Sequence, residues 1–197
     1  PHPLITAEMQ EDIMAKIIKP TLQLMQEQNM PFKGILFAGL MLSEDGPKLI
    51  EYNVRIGDPE TQSILPLLET DFLALINASV NENLANFEVK HKDQKAVTIV
   101  LSAKGYPESY KKGTEIKNAE STDENIIIYH AGTKLDEGKL LANGGRVLNI
   151  TAIAESITIA RSCAYVAVEK IDWSDSYYRK DIAAKILQSH HQQHQST

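Results

Sequence analysis

A hairpin pattern near the start of the chain constrains the fold most. Ile35 to Leu42 is a nearly continuous apolar run, which is typical of a strand buried on both faces. The turn-forming segment Glu44-Asp45-Gly46-Pro47 follows, and in residues 48–56 polar and apolar side chains then largely alternate. The sequence therefore predicts two antiparallel strands, 35–42 and 48–56, joined by a tight turn.

The second predicted strand carries functional groups on one face. Glu51, Asn53 and Arg55 occupy alternate positions, and alternate side chains of a strand share a face. Carboxylate and amide oxygens are the ligands that Mg²⁺ prefers, and a guanidinium group suits phosphate oxygens. The pattern predicts a site for a metal-bound polyphosphate, although a solvated strand face with a surface ion pair is the alternative.

The residues after this strand predict a turn into a helix. Gly57 allows the chain to turn, Asp58 is a favourable N-cap, and Pro59 suits the first helical position. Glu60 then lies in the first turn of a short helix that Pro66 limits. We expect the polar groups of the strand to lie beside this helix N-terminus.

Composition excludes several classes of function. The 197 residues carry a formal net charge of −6 with scattered Lys and Arg, so neither a nucleic-acid footprint nor a polybasic membrane segment is present. No apolar run is long enough to span a bilayer. The single cysteine, Cys163, excludes an internal disulfide and fits a reducing cytosol; its helical apolar context predicts a small core residue.

Caps and breakers outline the rest of the first half. Thr6 is predicted to be the N-cap of a first helix, which Pro20 must kink or end. Asp71 is predicted to cap a later helix. A polar linker at 86–95 then predicts a boundary between a domain at 1–90 and a second domain at 95–189.

Short strands and glycine turns characterise the second half. Strands are predicted at 96–103, 126–130 and 146–154, and Asn143-Gly144-Gly145 predicts a hairpin turn into the last of them. Ser156 is predicted to cap a helix that reaches Ile171, and Asp181 a last short helix. The His-rich end, 190–197, is expected to be a disordered tail.

The segment Leu49–Gln62 resembles the signature of the phosphoribosylamine–glycine ligase family, which belongs to the ATP-grasp superfamily. Shorter resemblances lie at Phe37–Met41, Gly132-Thr133 and Asn143–Val147. The resemblance runs from Pro1 to about Leu187 and covers only the C-terminal half of such an enzyme. It implies an α+β fold in which an ATP-grasp C-terminal subdomain, an antiparallel sheet with helices, precedes a small α+β C-terminal domain.

The resemblance also implies a cytoplasmic enzyme of purine biosynthesis. Its reaction joins glycine to 5-phosphoribosylamine at the expense of ATP, through a glycyl phosphate. Glu51 and Asn53 are then the whole protein ligand set for Mg²⁺ or Mn²⁺, and Arg55 binds and stabilises the transferring γ-phosphoryl group. Asp58 and Glu60 are candidates for binding the ammonium group of glycine.

Two other functions remain open at this stage. The chain resembles only part of the ligase, so the N-terminal half of the same enzyme is an expected partner. A different ATP-grasp ligase or carboxylase, or a non-catalytic interaction module that keeps the fold, is the alternative. His130 could act as a general base but is better explained as a hydrogen-bonded structural residue, and Arg146 could contact a phosphate or lie on the surface.

Overall fold

A computed structural model describes residues 5–184 and residue 186, and the chain divides into two compact units. The first unit comprises the described residues up to Asp58 together with Thr70–Lys90. The second comprises Pro59–Glu69 and the described residues from His91 onward. This division differs from the sequence-based one in a single segment, since Pro59–Glu69 packs with the second unit. The predicted tail at 190–197, and most of the helix predicted after Asp181, lie outside the described residues.

The first unit opens with a helical segment in three parts. Helix α1 spans Ala7–Ile13, a π-helical turn follows at Met14–Ile18, and helix α2 spans Lys19–Glu27. The Thr6 hydroxyl accepts a hydrogen bond from the Met9 amide at 3.1 Å, which confirms the predicted N-cap. Pro20 lies in the first turn after the π-helical segment, so the helix accommodates it through a local change of winding.

The predicted hairpin is present. Strand β1 spans Phe37–Ser43 and pairs antiparallel with strand β2, Gly46–Asn53. The register shifts between Gly39 and Leu40, which is the signature of a β-bulge. On β2 the Tyr52 hydroxyl lies 2.7 Å from the Thr21 hydroxyl of α2 and donates to the Ile17 carbonyl at 3.2 Å. One face of β2 therefore packs towards the helix.

The expected burial of β1 on both faces is wrong. No residue of either hairpin strand is buried, and Met41 and Ile50 are 58% and 63% exposed. Of the described residues in the first unit, only Gly57 and Ala78 are buried. Apolar side chains of the hairpin are therefore left uncovered by the rest of the first unit.

Helix α4 completes the first unit. This helix spans Phe72–Val80. It follows helix α3, Glu60–Ile64, and a 3₁₀ turn at Leu65–Leu67, both of which belong to the second unit. The Asp71 carboxylate accepts from the Ala74 amide at 2.7 Å, so the predicted cap is confirmed. A second 3₁₀ turn lies at Leu84–Asn86.

The second unit is built on two antiparallel sheets and one long helix. Strands β3 to β9 span Lys95–Ala103, Thr114–Ile116, Ile126–His130, Thr133–Asp136, Lys139–Ala142, Arg146–Ala154 and Ser176–Tyr177. One sheet has the order β5-β8-β3-β9, and the other has the order β4-β7-β6. Helix α5, Ile157–Lys170, packs against β3 and β8, and Ser156 caps it through the Ile159 amide as predicted.

The hydrophobic core of the second unit lies between the four-stranded sheet and α5. Ile99, Leu101, Leu148 and Ile150 are at most 1% exposed, and alternate residues of β3 and β8 supply them. The prediction for Cys163 is wrong, because this residue lies on the exposed side of α5. The apolar spacing was correct for the helix, but it did not identify which positions face the sheet.

Gly144 and Gly145 have a different role from the predicted one. Strands β7 and β8 belong to different sheets, so Asn143-Gly144-Gly145 is not a hairpin turn. A Cβ atom on Gly132 would lie 2.7 Å from the Gly144 Cα and 2.6 Å from the Arg146 carbonyl oxygen. These glycines therefore permit close backbone approach where the chain passes between sheets.

In the described part of the chain, no helix is both long and apolar enough to cross a bilayer.

Candidate functional site

The C-terminal end of β2 brings two predicted metal ligands together. The Tyr52 side chain points to the face of β2 that packs against the helical segment, and Glu51 and Asn53 lie on the opposite face. The Asn53 side-chain amide donates to the Glu51 Oε1 atom at 3.1 Å. Glu51 is exposed and Asn53 is half-buried, so the carboxylate can reach a ligand while the amide holds its orientation.

Gly39 makes room for the Glu51 side chain. The two residues are paired across the hairpin, next to the bulge, at which Ile50 of β2 has no partner in the register. A Cβ atom at position 39 would lie 3.1 Å from the Glu51 Cγ atom and 3.9 Å from its Oε1 atom. Sequence analysis did not assign Gly39 a role, although a glycine inside a strand signals close approach of another group.

Arg55 lies beyond the strand that was predicted to carry it. Strand β2 ends at Asn53, and Val54 and Arg55 form a bend. The Arg55 side chain is exposed, and its Nη1 atom donates to the neighbouring Ile56 carbonyl at 3.3 Å. The prediction that the strand reaches Ile56 is therefore wrong, and the position of Arg55 depends on the bend and not on strand geometry.

The structure places Asp58 and Glu60 in different compact units. Asp58 is the last residue of the first stretch of the first unit, and Glu60 begins α3 in the second. Pro59 occupies the N-cap position that was predicted for Asp58, so α3 begins one residue later than expected. Both carboxylates are exposed. Since α3 has only five residues, its N-terminus does not define an anion site by itself.

The donor set at the end of β2 suits a hard divalent ion. A half-turn of the Asn53 amide exchanges its nitrogen and oxygen, and both side chains then present oxygen atoms to one point. Two protein oxygens are enough for Mg²⁺ when substrate phosphates and water complete the octahedron. Among the residues that the structure describes, no group of three or more His, Cys, Asp or Glu side chains could hold a metal without such help.

Other polar residues singled out from the sequence lie elsewhere. His130 is exposed at the end of β5, and its Nδ1 atom lies 3.2 Å from the Thr133 hydroxyl. Arg146 is half-buried at the start of β8. The Lys33 ammonium lowers the pKa of the exposed Glu82 carboxyl by hydrogen bonding and charge, and burial raises the pKa of Tyr129. Neither of these two shifted groups is one of the residues predicted for the site.

The fold is that of the C-terminal region of an ATP-grasp protein. The model of the phosphoribosylglycinamide synthetase ATP-grasp (A) domain matches residues 1–61, and the model of the C domain of the same synthetase matches residues 96–185. The chain belongs to this family, the phosphoribosylamine–glycine ligases.

Individual relatives agree with this assignment. The phosphoribosylamine–glycine ligase of Caldanaerobacter subterraneus is 47% identical over 184 residues, which cover 93% of this chain and 44% of that protein. A bifunctional purine biosynthetic protein of Pichia angusta is 48% identical over 186 residues, covering 93% of this chain and 23% of its own length. The crystal structure of the Thermotoga maritima ligase superposes with a TM-score of 0.72 at 35% identity, over 92% of this chain and 44% of that one. The chain thus spans less than half the length of these relatives.

Proposed function

We propose that this chain supplies the metal- and phosphate-binding side of a phosphoribosylamine–glycine ligase. The observation that carries the proposal is the Glu51–Asn53 pair at the end of β2, which Arg55 follows after two residues. In the proposed reaction, ATP, glycine and 5-phosphoribosylamine give glycinamide ribonucleotide, ADP and phosphate. The family assignment supports this choice of substrates, and we place the enzyme in the cytoplasm.

The proposed chemistry has two steps. A glycine carboxylate oxygen attacks the γ-phosphorus of ATP, which forms glycyl phosphate and releases ADP. The amine of phosphoribosylamine then attacks the glycyl carbonyl carbon, forms the amide bond and displaces phosphate, with loss of one proton from the nitrogen. Positioning and charge neutralisation carry most of the catalysis in phosphoryl transfer.

Each site residue has a proposed role in these steps. Arg55 neutralises charge that develops on the transferring phosphoryl group, because its exposed guanidinium offers several donors. Asp58 and Glu60 bind the ammonium group of glycine through their exposed carboxylates. Glu51 and Asn53 would hold Mg²⁺ or Mn²⁺. When bound, this ion supplies positive charge to the phosphate oxygens.

The same proposal divides the chain by function. Residues 1–90 would complete the ATP-grasp site, and residues 95–189 would form the ligase C-terminal domain. The ranges of the two matching family models, 1–61 and 96–185, support this division. The remaining part of the enzyme is the expected partner, and we expect neither nucleic acid nor a membrane to bind.

A chimera tests the function directly. In the Caldanaerobacter ligase, this chain would replace the segment that aligns with it. We expect the chimera to release ADP only when both glycine and phosphoribosylamine are present, and to form glycinamide ribonucleotide. A folded chimera that is inactive would favour the non-catalytic module. Turnover with another carboxylate or with bicarbonate would favour a different ATP-grasp enzyme.

Gly39→Val should raise the Mg²⁺ concentration required for half-maximal activity of the chimera. The added side chain competes for the space of the Glu51 side chain, which is exposed and can move without unfolding the hairpin. A displaced carboxylate should raise the Mg²⁺ requirement on the order of tenfold, as expected when a group that orients a metal ligand is changed. Met41→Val, at an exposed position of the same strand, is the control. An unchanged Mg²⁺ requirement in the Gly39→Val chimera would exclude a role for this space.

A further inference from the structure

A closed chain of hydroxyl groups joins α3 to the sheet of the second unit. The Ser63 hydroxyl lies 2.7 Å from the Thr98 hydroxyl on β3, which lies 2.7 Å from the Thr151 hydroxyl on β8. The Thr151 hydroxyl then donates to the Gln62 carbonyl at 3.1 Å. This hydroxyl chain therefore starts and ends in α3, at the neighbouring residues Ser63 and Gln62.

The hydrogen bonds of the hydroxyl chain all run in one direction. A hydroxyl group has a single hydrogen, and the hydrogen of Thr151 goes to the Gln62 carbonyl. Thr98 must then donate to Thr151, and Ser63 must donate to Thr98. Each hydroxyl accordingly has a fixed role, and removal of the Thr151 hydroxyl removes both its bond to the Gln62 carbonyl and the acceptor of the Thr98 hydrogen.

The hydroxyl chain lies on the face of the sheet that points away from the main core. Thr98 and Thr151 are directly paired in the β3–β8 register, and their neighbours Ile99 and Ile150 point into the core beneath α5. Thr151 is fully buried. Hydrogen bonds in such a position are costly to break, because water does not readily replace them.

Helix α3 depends on such external anchors. It has five residues, its N-cap Pro59 supplies no side-chain hydrogen bond, and so short a helix is not stable alone. At its C-terminal side the Leu67 carbonyl accepts from the Lys92 amide at 2.8 Å. The hydroxyl chain is the corresponding anchor of the first turn, where Glu60 lies two residues before Gln62.

We propose that Thr98 and Thr151 are positioning residues that set the place of Glu60 for substrate binding. This inference rests on the proposed function, in which Glu60 binds the ammonium group of glycine. The C-terminal sheet then contributes to substrate binding without touching the substrate. Thr98 and Thr151 are distant in sequence from the signature at 49–62, and no motif in the sequence points to them.

The test compares Thr151→Val with Thr151→Ser. Valine keeps the shape of threonine and removes the hydroxyl, whereas serine keeps the hydroxyl. In the chimera, we expect Thr151→Val to raise KM for glycine roughly three- to tenfold, the range that one hydrogen bond supports, with less effect on KM for ATP. Thr151→Ser should restore KM for glycine. Thr158→Val, at an exposed position of α5 in the second unit and outside the hydroxyl chain, is the matched control.

Hydrogen exchange of the 197-residue chain separates failure of this inference from failure of the proposed function. Amides of 60–64 should exchange faster in Thr151→Val than in the unsubstituted chain, while those of β3 and β8 keep their protection. Unchanged exchange in 60–64 would overturn the anchoring role even if the chimera is inactive. In an active chimera, equal increases in KM for all three substrates, or an unchanged KM for glycine, would overturn the positioning role.

Discussion

Glu51→Gln should lower turnover of the chimera by about two to three orders of magnitude and leave its fold intact. Glutamine keeps the size of the side chain and can still bond to Asn53, so the hairpin retains its geometry. It removes the negative charge that a divalent ion requires from a ligand set of only two protein groups. Because the carboxylate is exposed, its loss leaves no buried cavity.

ADP release at saturating glycine and phosphoribosylamine measures this effect, and circular dichroism reports the fold. Glu44→Gln is the matched control, since Glu44 is an exposed acid in the turn between β1 and β2. It should leave turnover within about twofold of the unsubstituted chimera, as expected for an isolated surface substitution. Equal turnover of the Glu51→Gln and unsubstituted chimeras would exclude Glu51 as a metal ligand.

Local signals in the sequence predicted most of the elements. The caps Thr6, Asp71 and Ser156 begin helices at the predicted places, because a cap acts within one turn of the chain. The three predicted strands of the second half match β3, β5 and β8 to within one residue. Short-range periodicity and turn chemistry are enough for such elements.

Features that depend on distant contacts were not predictable in the same way. The apolar run in β1 indicated a buried strand, but burial depends on what covers the strand, and its residues are not buried in this chain. The alternation up to Ile56 indicated a longer β2, but the pairing with β1 ends at Asn53. Nothing local indicates that Pro59–Glu69 packs with the second unit, since Thr98 and Thr151 anchor it from far along the sequence.

The candidate site was likewise predictable in part. Alternation on a strand was sufficient to bring Glu51 and Asn53 together. The supporting role of Gly39 depends on its pairing with Glu51 across the hairpin. The sequence alone does not determine this pairing, because the bulge shifts the register of the two strands. The roles of Arg55, Asp58 and Glu60 stay predictions, because they depend on a bend, on a short helix and on substrates.

The isolated 197-residue chain should not form glycinamide ribonucleotide. The candidate metal ligand Glu51 and the candidate phosphate-binding residue Arg55 are exposed, and the apolar side chains of the hairpin are not buried. A glycyl phosphate in such surroundings is open to hydrolysis, and the reactants lack the enclosure that brings them together. The lost effective molarity alone corresponds to on the order of several kcal/mol of activation free energy.

A coupled ADP-release assay with glycine and freshly generated phosphoribosylamine measures this prediction. The chain is assayed alone and together with the remaining part of the Caldanaerobacter ligase, expressed separately. Activity only in the mixture would place the reaction between two polypeptide segments, each of which binds part of the substrates. Substrate-dependent turnover by the chain alone would contradict the prediction, and it would require that exposed residues such as Glu51 and Arg55 become enclosed when ATP binds. The same Glu51→Gln substitution then distinguishes activity of this chain from a contaminating ligase, because only the former depends on Glu51.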